Sequence, residues 1–226
     1  MKIFVFSDLH GSSSILERLV AKAADADLLL MAGDLTDFGG ESEARALLEL
    51  MGSLTKKLAI VGGNCDKRGA RDLLNDQGLS VDGLARIVVG ALVLGAGGGT
   101  RHTGITPYER REEELAEALD KGMNAAKPEL GSGKPLIVVT HAPPRGSGAD
   151  LRKSIHVGST AFAEALERLR PALWVCGHIH ESPCASYSGE TLVLNPGPAR
   201  EGRYAIACLE KTSSGAWRAE AELLSL

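Results

Sequence analysis

The chain has 226 residues, 44% hydrophobic and 24% charged, enough apolar material to bury a sizeable core and too much for a disordered chain. Its formal net charge of −4 offers no extended basic surface for nucleic acid. No apolar run approaches the ~20 residues of a bilayer span. The four cysteines, Cys65, Cys176, Cys184 and Cys208, hold no Cys-x-x-Cys pair, and the N-terminal run is broken by Asp8 before it resembles a signal peptide. The expectation is therefore a cytoplasmic protein with reduced thiols and no membrane partner.

Lys2 to Phe6 reads as a buried strand, and Ser12 to Ala24 as a helix with Ile15, Leu16, Leu19 and Val20 on one stripe. Leu28 to Met31 is the next strand, Glu41 to Met51 the next helix, and Leu58 to Val61 a third strand. This alternation predicts an α/β fold with a partly parallel sheet, whose ligands bind beyond the carboxyl ends of the strands. Leu84 to Val89 and Ala91 to Leu94 read as neighbouring strands joined by a tight turn at Gly90. A glycine-rich loop, 95–104, follows. Thr106-Pro107-Tyr108-Glu109 has capping-box spacing with proline at the first helical position, which predicts a polar helix from there to about Gly122 and a loop from Lys121 to Pro135.

Leu136 to Thr140 is a further strand, and the loop 142–158 that follows is long enough to suggest function. A helix is expected over Thr160 to Leu169, stopped by Pro171. Leu173 to Cys176 reads as a strand, and four more strands over 184–187, 191–194, 203–209 and 216–223 have the spacing of antiparallel pairs. There is no linker or repeat. Residues 1–226 read as one domain with two sheets.

Polar residues recur at the strand exits. Asp8 and His10 follow the first apolar run; in an extended backbone residues i and i+2 point to one side, so the two side chains are expected to converge. His178 and His180 repeat the pattern after residues 173–176. Asp34, Asn64 and His141 stand after three strands between them. Singly, each such residue is a cap or turn residue. Together the seven supply enough oxygen and nitrogen ligands for two divalent cations.

The ordered set Asp8-Leu9-His10, Gly33-Asp34, Gly63-Asn64-Cys65-Asp66, Thr140-His141 and Gly177-His178-Ile179-His180 resembles the calcineurin-like metallophosphoesterase superfamily. The resemblance implies a four-layer α/β/β/α sandwich with two mixed β-sheets, like the metallo-dependent phosphatases. It further implies one metal on Asp8, His10 and His180, a second on Asn64, His141 and His178, and Asp34 bridging them. The mixed imidazole and oxygen set favours Mn²⁺ or Fe, with Zn²⁺ also compatible. The implied activity is hydrolysis of a small phosphorylated substrate, nucleotides included, by water that the metal pair activates; a phosphodiesterase is favoured. The alternatives are a phosphomonoesterase and a non-catalytic interaction scaffold on the same fold. Oligomeric state is left open.

One position departs from the pattern. Cys65 stands where the family usually has a histidine that protonates the leaving group, and a thiol is a poor substitute at neutral pH. Asp34 and Asn64 are expected to be essential for catalysis, with His102 in the glycine-rich loop and His156 in the loop after His141 as candidates to replace the missing donor. Arg101 and Arg145 read as surface cations within reach of a phosphate. Asp37 reads as a surface or turn residue. Gly95 to Gly99 lacks the third glycine of a dinucleotide loop, which would fall at Thr100.

Overall fold

The computed structural model describes residues 1–102 and 104–226. The first third forms β1 (Lys2–Phe6), α1 (Ser13–Lys22), β2 (Leu28–Met31), α2 (Glu41–Met51), β3 (Leu58–Ile60) and α3 (Arg68–Asp76). The middle forms β4 (Ala85–Val88), β5 (Ala91–Ala96), β6 (Gly99–Thr100), β7 (Glu109–Arg110) and α4 (Glu112–Ala126). The last part forms β8 (Leu136–Thr140), β9 (Leu151–Arg152), β10 (Ile155–His156), α5 (Thr160–Leu169) and β11 (Leu173–Val175). It continues with β12 (Cys184–Ser188), β13 (Thr191–Asn195), β14 (Arg203–Lys211) and β15 (Trp217–Ser225).

Two mixed sheets organise these elements. One has the order β15-β14-β1-β2-β3 and the other β12-β13-β11-β8-β5-β4. In the first, β1, β2 and β3 run parallel, while β14 joins β1 antiparallel. In the second, β13, β11, β8 and β5 run parallel, with β12 and β4 antiparallel at the edges. Because successive side chains leave a strand on opposite faces, each strand serves two cores. Phe4 and Phe6 pack with Leu16, Leu47 and Leu73 under α1, α2 and α3, while Ile3 and Val5 pack between the sheets with Val139 and Val175. On the far side Val138 and Trp174 meet Leu115 of α4 and Phe162 of α5. The layers are thus α/β/β/α, as the motif order implied. The exits of β1, β2, β3, β8 and β11 share one end of the sandwich.

Three expectations are corrected. α3 has no counterpart in the sequence pattern, because only Ala70, Leu73 and Leu74 of its nine residues are buried and the apolar signal is thin. The helix expected from Pro107 starts at Glu112 instead. Thr106 does donate its N–H to Glu109 (3.2 Å), but the Glu109 carboxylate also takes the N–H groups of His102 and Gly104 (2.9 and 2.8 Å), and so closes a loop rather than capping a helix. The capping box belongs to Arg111 and Glu114, whose carboxylate accepts the Arg111 N–H at 2.8 Å. α4 then passes through Gly122, where a side chain would sit 2.9 Å from the Leu84 carbonyl oxygen.

The long loop after His141 carries the hairpin β9–β10, turned by Lys153 and Ser154 at φ 47° and 65°. β12–β13 and β14–β15 pair antiparallel as expected, but the two pairs lie in different sheets. Among the described residues no helix is long and apolar enough to cross a membrane.

Candidate metal centre

The polar residues at the strand exits converge, though not by strand alternation. β1 ends at Phe6, and Asp8 and His10 both adopt left-handed backbone, φ 57° and 47°. Asp34 (φ 50°) and His178 (φ 69°) do the same. Non-glycine residues there cost about 1–3 kcal/mol each and persist only where their surroundings fix them. Here the N–H groups of Asp8, His10 and Gly11 donate to the carbonyls of Gly33, Asp34 and Leu35, each at 3.0 Å, stitching the loop after β1 to the loop after β2. His178 heads a tight turn in which the Ile179 N–H donates to Gly177 O at 2.8 Å. The His178 N–H in turn reaches both Asp8 carboxylate oxygens at 3.2 and 3.1 Å, tying the two sheets together at the site.

The side chains form two groups about Asp34. His180 Nε2 lies 3.2 Å from Asp8 Oδ1, and the His10 and His180 rings are 5.5 Å apart. His141 Nε2 lies 2.8 Å from Asn64 Oδ1, with the His178 ring 4.9 Å from that of His141. Asp34 Oδ2 stands 3.6 Å from His10 Nε2 and 3.5 Å from His141 Nε2. Ligand-type atoms of Asp8, His10 and His180 fall within 4.8 Å of one another, as do those of Asp8, Asp34 and His141. Gly99 leaves the room for this: a Cβ there would stand 3.1 Å from Asn64 Cβ and 3.3 Å from His178 Cε1.

The donor set fits cations. Both ring nitrogens of His10 are buried without a hydrogen-bond partner among the described residues, a cost that coordination removes. His141 Nδ1 lies 2.7 Å from Ala32 O, so in the neutral ring it donates there and leaves an Nε2 lone pair facing the Asn64 carbonyl oxygen. In the neutral ring these two acceptors, 2.8 Å apart, need a cation beside them; in the imidazolium a proton on Nε2 takes its place. Electrostatics point the same way. Burial alone would depress the His141 imidazolium, yet Asp34 and Asp8 raise it to about 9. His178, buried beside that charge, is held down to about 4. Burial works against the Asp34 carboxylate as well, but His141 and the Cys65 N–H keep it well below the usual range.

Cys65 is buried, and its N–H donates to Asp34 Oδ1 at 2.8 Å. Burial and the Asp34 charge push its thiol far up, so it stays protonated. Its sulfur lies within 4.8 Å of ligand-type atoms of His10 and Asp34. Asp66, the next residue, is fully engaged with backbone and hydroxyl donors. One of its oxygens accepts Thr36 N–H and Oγ1–H (both 2.8 Å), and the other accepts Gly63 N–H (2.8 Å) and Leu35 N–H (3.2 Å). The sequence showed this carboxylate but not that it locks the Asp34 loop to the Asn64 loop.

A cavity of about 250 Å³ opens over Asn64 and His178, and Arg101, His102, Glu109 and Arg152 also line it. His102 thus shares this cavity with Asn64 and His178. His156 and Arg145 do not line this cavity; His156 Nδ1 is 2.9 Å from the buried Asp150, whose other oxygen accepts Gly146 N–H and Gly158 N–H. Three neighbours were not picked out as such in the sequence: Arg152, which lines the cavity, Asp37 and Arg200. Asp37 is exposed as expected, yet its Oδ1 lies 3.5 Å from His10 Nδ1. Arg200, in a turn after β13, places Nη2 3.3 Å from His180 Nδ1.

An α/β/β/α sandwich with aspartate, asparagine and histidine gathered at the strand exits is the arrangement of the metallo-dependent phosphatases. The chain belongs to the calcineurin-like phosphoesterase family, which matches residues 1–182. It is 35% identical over 206 residues to the uncharacterized protein MJ1162 of Methanocaldococcus jannaschii, covering 88% of each chain. Among solved structures it resembles TT1561 of Thermus thermophilus (TM-score 0.70, 19% identity, 97% of each chain). It also resembles a dimetal phosphatase from Danio rerio (TM-score 0.60, 12% identity, 100% of this chain and 98% of the other).

Proposed function

We propose that the protein is a phosphodiesterase that uses two divalent cations. The observation that carries the reading is the pair of imidazole couples, His10 with His180 and His141 with His178, on either side of Asp34, with both His10 nitrogens buried and without a hydrogen bond among the described residues. Asp8, His10 and His180 would hold one ion, and Asn64, His141 and His178 the other, with Asp34 shared. The fold likeness to a dimetal phosphatase supports the two-ion count. Bound there, Mn²⁺ or Fe, or Zn²⁺ in their place, would supply Lewis acidity to the phosphoryl oxygens and to the attacking water.

The chain's own contribution is geometry and proton control. Ala32 O fixes the His141 tautomer, and the Asp8 and Asp34 carboxylates set the charge of the site. Cys65 cannot deliver a proton readily, so the leaving oxygen depends on His102, which lines the cavity, or leaves without protonation. His156, which does not line that cavity, is dropped from this role. A site short of a proton donor suits diesters with stable leaving groups better than alkyl monoesters.

Metal-stripped protein reloaded with Mn²⁺ should bind two ions per chain and cleave bis(4-nitrophenyl) phosphate faster than 4-nitrophenyl phosphate. Asp34→Ala should abolish turnover with its circular dichroism unchanged. Full activity in the stripped protein or in Asp34→Ala would end the metal assignment, and faster cleavage of the monoester would end the diester one.

A further inference from the structure

Outside the two sheets stand two short ribbons, β6–β7 and β9–β10, and each brings an arginine to the same cavity. Arg101 follows β6 and Arg152 ends β9; both line the space over Asn64 and His178. Neither is needed to hold an ion. Among the described residues the Arg101 guanidinium makes no hydrogen bond or ion pair. Arg152 has only Nε 3.6 Å from Glu181 Oε1, both side chains being about 60% exposed (61% and 59%). Such an exposed pair is weakly held and easily exchanged.

Among the described residues one carboxylate, Glu109, lines the cavity with them. Glu109 is occupied with its own loop, accepting the N–H groups of His102, Gly104 and Thr106 and the Thr106 hydroxyl at 2.8–3.2 Å. Two guanidinium groups and one carboxylate thus line the cavity, on a chain of formal charge −4. The ribbon bearing Arg101 is also fixed relative to the cluster. Gly99 N–H donates to Tyr108 O and Arg101 N–H to Arg110 O (3.1 and 2.8 Å), and Tyr108 N–H donates to the backbone carbonyl of Asn64 (3.1 Å). Tyr108 is itself clamped: its ring lies 3.6 Å from the Arg71 guanidinium carbon and 4.5 Å from that of Arg110, and its hydroxyl meets Asp82 at 2.5 Å. So anchored a ribbon sets the distance from Asn64 to the Arg101 backbone, and with it the region the guanidinium can reach.

We propose that Arg101 and Arg152 form a second anion subsite, and that the substrate is a phosphodiester carrying a further anionic group, a phosphate or a carboxylate, on the portion that extends away from the reacting phosphorus. This inference rests on the diester reading above. Three aryl diesters test it: 4-nitrophenyl phenyl phosphate and its analogues with a para carboxylate or a para phosphonate on the phenyl ring. In Mn²⁺-loaded enzyme at low salt, kcat/KM for at least one charged ester should exceed that for the uncharged-ring ester by about tenfold, the size of one charge-assisted hydrogen bond.

That ratio should shrink as salt is raised, fall in Arg101→Gln and in Arg152→Gln, and approach one in the double variant. Preference for the phosphonate assigns a phosphate to the subsite, and preference for the carboxylate assigns a carboxylate. A ratio near or below one in the native enzyme, or one that the arginine changes leave intact, overturns the subsite while the diesterase reading stands. If none of the three esters is cleaved, both readings fall.

Discussion

A methyl group at Gly63 would have nowhere to go: it would lie 2.0 Å from Asp34 Oδ1 and 2.2 Å from the Asp34 backbone nitrogen. The Asp34 carboxylate can approach the Asn64 loop only because that carbon is absent. Gly63→Ala should therefore destabilise the fold by about 1–3 kcal/mol and remove metal-dependent turnover, read by denaturant titration and a diester assay. Cys65 gives the second prediction at this scale. With no ready donor, rates should rise steeply as the leaving-group pKa falls, and His102→Ala should steepen the slope if His102 protonates the leaving oxygen. Cys65→His should not flatten it, because all four hydrogen bonds to Asp66 are already made and no carboxylate is free to orient the new ring. A flat slope in the native enzyme would remove Cys65 from the account.

At the scale of elements, the hairpin β4–β5 turns on Val89 and Gly90, with φ 50° and 82°. Positive φ at both central residues is the geometry that asparagine-glycine turns adopt, and a β-branched residue fits it badly. Val89 is half exposed (50%), so little packing is lost on replacing it. Val89→Asn should stabilise the protein by about 1 kcal/mol, visible as a higher midpoint in denaturant. The loop closed by Glu109 makes a pH prediction. Burial opposes the Glu109 charge, but three N–H donors and a hydroxyl together hold its pKa down to about 2, from 4.5 when unperturbed. A carboxylate depressed on folding stabilises above its unfolded value, so protection of the His102, Gly104 and Thr106 amides should decline as pH falls from 4.5 toward 2. In Glu109→Gln the protection should be low throughout.

The same elements show what the sequence could reveal. Buried parallel strands announce themselves as apolar runs, so β1, β2, β3, β8 and β11 were legible, and with them the positions of Asp8, Asp34, Asn64, His141 and His178. The left-handed turns were not legible, since nothing in the residue types of Asp8 or His178 distinguishes αL backbone from a strand continuing. Nor was the start of α4: the spacing of Thr106 and Glu109 satisfies a capping box, and only tertiary donors decide where that carboxylate goes. Arg152 and Arg200 escaped for a related reason, because exposed arginines carry no periodic signal and reach the site only through loop paths.

For the whole molecule, the cluster joins two sheets whose strands come from distant parts of the chain. Ions held there would bridge the sheets, so removing them should lower the thermal midpoint, and reloading with Mn²⁺ should restore it, the midpoint rising with the logarithm of free metal. If residues 1–226 act as one unit, calorimetry should show one transition with and without metal; two separable transitions would split the unit.

β1 has a further consequence. It lies between β2 and β14, so one of its sides pairs with Leu28–Met31 and the other with Ala205–Cys208. During synthesis the first partner arrives almost at once and the second roughly 200 residues later, about 10–40 s at ribosomal speeds. For that interval the central strand of the nascent sheet presents an open row of amides and carbonyls flanked by Ile3, Phe4, Val5 and Phe6, the kind of template that captures stray strands. The growing chain must pass through a sticky adolescence, and its yield in a cell should depend on chaperones that shield an unfinished sheet more than on the strength of the finished one.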